Sequence, residues 1–381
     1  MTLIQRSLLA AVAVAATAAF SAGAPKPAVA AMELVHGAWP PAVVYMNRIT
    51  LPKVFKEIEQ ETHGEIKWKL VPGGQLAGPK ESFQATSDGL IQGALGISTY
   101  VPNLVPSLNT IYQTIVFGSD VIPATGAAVE TLTLECPSCL AEFKKINIVP
   151  LSGWTSSNYY LACRQPVRSV EDLKGKRVRG TGGNAVLWNT AGAVAVTATL
   201  PEALTLLQRG GLDCQHGVHS WLKTFGYADF AKYVTDYPTG LSGPAVGLML
   251  NRDAWNKMTG EQKTIHLKKA AWISAAEAIG EFTIDNQNHL QDVIKNRGVQ
   301  MIKADGPSFD TLFDKYRSIQ ERNVVDSGKK FGVPDPKKIM DTYLANVKKW
   351  EGLTKGIGTD IDKFADLIWR EIYSKVDVNT F

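Results

Sequence analysis

From Met32 onward, short apolar runs with strand character alternate with amphipathic stretches, and this alternation limits the fold more than any other feature of the chain. "MELVHGAW" reads as a strand running into a loop. Between Val43 and Gly64 the residues Val44, Ile49, Leu51, Val54, Phe55 and Ile58 recur at helical spacing, and "THG" closes that helix with a glycine. "EIKWKLV" alternates as a strand, "GPKESFQATSDG" forms a short amphipathic helix, and "QGALGIS" is a strand of small residues. The second half repeats the pattern. Its strands are "NYYLACRQ", "KRVRG", "AVTAT" and "LDCQHG"; its helices are "AVLWNTAG" and "LPEALTLLQRGG", the latter with Pro201 in its first turn and Gly210 at its end. Such a succession predicts an α/β fold with mostly parallel sheets and ligands gathered at the carboxyl ends of strands.

Residues 260–297 contain no proline and read as one long helix, and the tail from Pro307 is polar and helical, closing the surface. Two α/β lobes are expected, joined by "VPLSGWTSSNYYLACRQ" and "SGPAVGLMLN", with a cleft that closes by hinge motion. The expected division is a leader over 1–31, lobe I over 32–153, lobe II over 154–244, a return to lobe I over 245–285, and lobe II with the C-terminal helices over 286–381.

"MTLIQR" carries one arginine ahead of the uncharged run "SLLAAVAVAATAAFSAG", and "APKPAVAA" offers Ala28, Ala30 and Ala31 as small residues at a cleavage site. This is the pattern of a cleaved export signal, so the mature chain is expected in the periplasm. The run is shorter than the ~20 apolar residues a membrane span needs, and no later segment approaches one. In an oxidising compartment the four cysteines predict two disulfides. Cys136 and Cys139 form "CPSC" within a helical stretch, unlike a thioredoxin-type redox pair, and lack the second pair that zinc requires. Cys163 and Cys214 lie on strand-like segments as candidate cross-strand neighbours, although spacing leaves connectivity open. A formal net charge of +4 is too small and dispersed for nucleic acid. No G-x-S-x-G elbow, H-E-x-x-H or paired metal-ligand cluster points to an enzyme, a metal or a cofactor, and "GTGGN" lacks the full dinucleotide spacing.

"SVEDLKGKRVRG" places Arg177 and Arg179 two apart on one strand. On the residues alone, an internal salt bridge explains a buried arginine as well as a bound anion does. The segments "VPGGQLAGPKESFQATSDGLIQGALG", "RSVEDLKGKRVRGTGG" and "LPEALTLLQRGGLDCQ", in this order, resemble the solute-binding subunits of tripartite ATP-independent periplasmic (TRAP) transporters, the DctP-type receptors. The resemblance covers nearly the whole mature chain. It implies a two-lobed periplasmic solute-binding fold with a long helix spanning both lobes. It also implies capture of a small organic acid and delivery to membrane permease subunits for ion-coupled uptake.

By the same resemblance, Arg179 matches the arginine that ends the "D-L-K-G-x-x-x-R" segment and binds the ligand carboxylate, for which its planar fork is suited. Arg177, earlier on the strand, is assigned to the scaffold. Tyr159 stands where many members carry a second arginine, and Gly217 stands where others carry an asparagine. The expected ligand contacts are Arg179 with Trp39, Ser98, Thr99 and Tyr100 from the first lobe, and Asn158, Tyr159, Gln215, Gly217 and Trp221 from the second. His216 is a weaker candidate, and Gln75 lies in a glycine-rich loop that turn geometry explains. With its polar anchors reduced and aromatics nearby, the site fits a monocarboxylate with an apolar or aromatic body. A C4-dicarboxylate receptor and a periplasmic sensing module of the same fold are the alternatives, and a monomer is expected.

Overall fold

The computed structural model describes residues 31–378 and 381, so the expected leader lies, apart from Ala31, outside the described residues. The first strands in chain order are β1 (Met32–Gly37), β2 (Ile66–Val71), β3 (Gly93–Gly96), β4 (Ile148–Pro150), β5 (Gly153–Trp154) and β6 (Tyr160–Cys163). They are followed by β7 (Arg177–Arg179), β8 (Val194–Val196), β9 (Cys214–Gly217), β10 (Tyr233–Asp236), β11 (Ala245–Asn251) and β12 (Gln300–Lys303). One sheet runs β2-β1-β3-β11-β4, with β5 also on β11; the other runs β12-β10-β6-β9-β7-β8. The chain is thus the two-lobed α/β fold that was expected, but its sheets are mixed and not mostly parallel. Strand β11 pairs antiparallel with β3, β4 and β5, and β6 antiparallel with β9 and β10, because these are the strands on which the chain enters each lobe from the other. Strands β2 and β3 each pair in parallel with β1, while β11 enters antiparallel from the other lobe.

Helix Leu51–Glu61 buries Leu51, Val54, Phe55 and Ile58, the apolar stripe legible in the sequence, after a first turn of π width over Met46–Thr50. Helix Leu200–Gln208 starts with a capping box between Thr199 and Glu202. Where the chain crosses between lobes, its two passes run side by side: Ser156 N–H donates to Ser242 O (3.0 Å), and Tyr159 N–H donates to Gly240 O (2.9 Å).

The helix expected over 260–297 is continuous in extent but not in pitch. It runs as Gly260–Ala276, widens to π turns over Glu277–Asp285, and resumes as Asn286–Arg297. The widened turns carry Glu277 and Glu281 toward the space between the lobes. The C-terminal tail departs from its expected surface role. Helix Gly306–Lys330 packs on Gly183–Thr190, Pro336–Leu353 packs on Val121–Glu130, and Ile361–Glu371 packs on the first part of the long helix. Between them these helices bury Phe309, Tyr316, Tyr343, Trp350 and Phe364, with Trp350 Nε1 donating to Glu130 Oε2 (2.7 Å). The tail's polarity marks only its outer face.

Disulfides join Cys136 to Cys139 and Cys163 to Cys214. The second links residues directly opposite one another on antiparallel β6 and β9. "GTGGN" has a packing role: a Cβ on Gly183 would come within 2.2 Å of the Gln113 carbonyl oxygen, so glycine there lets the second lobe close on helix Pro106–Gln113. Among the described residues no helix is long and apolar enough to cross a membrane.

Candidate functional site

The two arginines of β7 meet different fates. Arg177 makes a bidentate pair with Asp213, through Nε to Oδ2 (3.0 Å) and Nη2 to Oδ1 (2.9 Å), and its side chain is partly exposed. Arg179, at the carboxyl end of the strand, is only 4% exposed and forms no ion pair among the described residues. Its partners are neutral oxygens: Ala198 O from Nε (3.0 Å), His216 O from Nη1 (3.4 Å) and Tyr100 Oη from Nη2 (3.2 Å). Burial pulls its pKa down, but the phenols of Tyr100, Tyr227, Tyr159 and Tyr112 more than offset this, so it is raised and the guanidinium keeps its charge.

Arg179 lines a pocket between the lobes enclosing about 680 Å³ of empty space, part of it open to solvent. Around it stand Trp39, Tyr100, Tyr112, Trp154, Tyr159, Trp221 and Phe225. Trp39 Nε1 donates to Leu95 O (3.2 Å), and the ring meets Tyr100 edge-on with centroids 6.2 Å apart. Tyr159 lies 5.5 Å from Trp221, with Tyr112 beside it in the lining. Val44, Met46, Leu200 and Phe282 complete an apolar lining. Arg179 is the only Lys, Arg or His among the lining residues.

On the side formed by the long helix, two acids line the same pocket. Glu277 is 2% exposed and accepts a hydrogen bond from Thr50 Oγ1 on Oε1. Glu281, 4% exposed, accepts from Ser220 Oγ on Oε1 (2.7 Å) and from Tyr45 N–H on Oε2 (3.0 Å). For Glu277, burial and then the Glu281 charge push the pKa well above the ordinary carboxyl value. Burial also raises Glu281, against the hydrogen bonds from Ser220 and Tyr45. Of the two, Glu277 is the carboxyl disposed to hold a proton.

Of the ten expected ligand contacts, the pocket brings together Arg179, Trp39, Tyr100, Tyr159 and Trp221. Ser98, Thr99, Asn158, Gln215 and Gly217 are not among its lining residues. Ser98 is fully buried and Thr99 faces Gly182 across the lobe junction. Gln215 Nε2 donates to His216 O (3.1 Å), and Gly217 makes room for Trp221, whose ring a Cβ would meet at 2.3 Å. His216 stands behind Arg179: its Nε2 bonds Thr239 Oγ1 (2.6 Å), and burial followed by the Arg179 charge holds its pKa well below the ordinary value. It is a neutral structural residue. Gln75 is exposed and also outside the lining. Tyr112, Ser156, Ser242, Glu277 and Glu281 line the pocket without having been expected there.

The model of bacterial extracellular solute-binding protein family 7, DctP, matches residues 46–321. The chain belongs to this family. Its members are periplasmic receptors and not enzymes. Among solved structures, the receptor is similar to a TRAP solute-binding protein from Bordetella bronchiseptica with bound (R)- and (S)-mandelate. That likeness has a TM-score of 0.70 and 21% identity over 84% of this chain and 99% of the other. It is also similar to a marine metagenome TRAP protein specific for aromatic acid ligands, in complex with 3-hydroxybenzoate (TM-score 0.73, 17% identity, 84% and 99% covered). A third, from Rhodoferax ferrireducens T118 in complex with copurified benzoate, has a TM-score of 0.74 and 14% identity over 85% and 99%. The fold is that of TRAP solute-binding receptors.

Proposed function

We propose that this receptor captures a monocarboxylic acid with an apolar or aromatic body between its lobes and delivers it to the permease subunits of a TRAP transporter. One observation carries the reading: Arg179 is a buried, fully charged guanidinium that lines a pocket and has no acid to pair with among the described residues. A carboxylate is the anion its fork matches. The aromatic walls suit a flat, apolar body. With no second basic residue in the lining, a C4-dicarboxylate would leave one carboxylate without a cation, which favours a single acid group. The sequence of the amino terminus, with its cleavable-signal pattern, supports export to the periplasm.

The test is a thermal-shift and calorimetry panel of benzoate, mandelate, phenylacetate and C4-dicarboxylates on the wild-type chain and on Arg179→Met. An acid present at a hundred times its dissociation constant stabilises the protein by about 2.7 kcal/mol. Arg179→Met is expected to lose that binding by at least tens-fold, since a buried charge-assisted contact is worth about 2–5 kcal/mol. Unchanged affinity in the variant would remove Arg179 from the site.

A further inference from the structure

The polar groups of the pocket are nearly all satisfied within the protein. Ser156 Oγ donates to Ser242 O (3.2 Å), Ser242 Oγ accepts from Asn184 Nδ2 (3.1 Å), and Trp39 Nε1 and Tyr100 Oη have the partners given above. Both oxygens of Glu281 accept hydrogen bonds. Glu277 differs. Thr50 Oγ1 donates to Oε1, whereas Oε2 has no hydrogen-bond partner among the described residues, in a side chain that is 2% exposed and lines the pocket. An oxygen that faces the pocket with no partner from the protein is left to pair with whatever enters.

We propose that Glu277 is a second ligand-binding residue, and that the organic acid taken by this pocket carries a hydroxyl group remote from its carboxylate that hydrogen bonds to Glu277 Oε2. The proposal rests on the monocarboxylate reading and adds the far end of the molecule to it. Because Thr50 donates to Oε1, the carboxyl proton resides on Oε2, which then donates to the ligand hydroxyl oxygen. Burial beside Glu281 keeps that proton in place. The acid end and the hydroxyl end are read by different chemistries: the first by a permanent cation, the second by a neutral donor. A neutral hydroxyl suits this wall better than an ammonium, which would give up its hydration among Val44, Met46 and Phe282 to meet an uncharged carboxyl.

The experiment measures dissociation constants by calorimetry for matched pairs: benzoate against 3- and 4-hydroxybenzoate, and phenylacetate against 3- and 4-hydroxyphenylacetate. The proteins are wild type, Glu277→Leu and Glu277→Gln, each checked for folding by its thermal melt. In the wild type at least one hydroxylated acid is expected to bind about five- to tenfold tighter than its parent. Glu277→Leu is expected to bring that ratio to one, and Glu277→Gln, whose amide still donates, to keep most of it. The proposal is overturned if no hydroxylated acid gains over its parent, if the gain survives Glu277→Leu, or if 3-(aminomethyl)benzoate gains more than the hydroxylated acids. Should Glu277→Leu fail to melt cooperatively, loss of the ratio in Glu277→Gln overturns it instead. Acids that bind through Arg179 without hydroxyl discrimination sink this inference alone, whereas absence of any Arg179-dependent binding sinks the monocarboxylate reading and this inference with it.

Discussion

The pocket has two charged-residue walls, and they solve burial in opposite ways. At the end of β7, Arg179 cannot shed its charge, so the protein surrounds it with carbonyl and phenol oxygens and leaves it cationic. On the long helix, Glu277 can take up a proton, and burial with the Glu281 charge beside it pushes its pKa that way. One wall waits for a counter-charge from outside; the other neutralises itself. On the proposed reading, such a pocket would select the sign of its ligand with Arg179 alone, and Glu277 would contribute a hydrogen bond in place of charge.

The largest effect expected from breaking this contrast comes from Arg179→Met. Besides losing acid binding, the ligand-free variant is expected to melt no lower than wild type, because the lost group is a buried cation without an ion partner; a clear fall in Tm would contradict that account. Next is Glu281→Leu, which strands Ser220 Oγ and Tyr45 N–H in the interior and is expected to destabilise by about 1–3 kcal/mol in urea unfolding. Smaller is the effect of Glu277→Gln, which sharpens the comparison through pH. With its folded pKa raised, Glu277 stays protonated in the folded state while the unfolded chain ionises above the ordinary carboxyl value, so stability is lost as pH rises through that range. The variant lacks this penalty: it is expected to melt higher than wild type at pH 8 and level with it near pH 4, and equal melts at both would remove the effect. Smallest is Arg177→Ala, two residues from Arg179, which is expected to leave acid affinity and Tm unchanged because its pair with Asp213 is partly exposed.

The fold was largely legible because its rules are local. Apolar periodicity places helix Leu51–Glu61 and strands β1 to β3, and the strand character around Cys163 and Cys214 makes them plausible neighbours. The pocket was legible where a side chain ends a strand, as with Arg179 and, just after β3, Tyr100. It was not legible where tertiary packing decides. Glu277 and Glu281 lie in the middle of the long helical stretch with no local signal to aim them, and it is the packing of Thr50, Tyr45 and Ser220 around the widened turns that holds them inward. Tyr112 lies inside a helix buried on every side, polar Asn109, Thr110 and Gln113 included, so spacing alone could not aim it. Conversely, Ser98 and Thr99 follow a strand's carboxyl end as expected, but Ser98 is fully buried and Thr99 faces Gly182 at the lobe junction.

The order of strands in the two sheets carries a consequence for how the molecule is made. The first sheet is completed only by β11 and the second only by β12, after the chain has visited the other lobe in each case. The last helices then return to seal faces laid down more than two hundred residues earlier, as Trp350 does against Glu130. Neither half can therefore be cut out as a self-sufficient fragment, and neither can mature on a ribosome or behind a translocation pore ahead of the other. The two lobes are interleaved along the chain and assemble as one, and a lesion in either puts the whole receptor at risk of proteolysis before it binds anything.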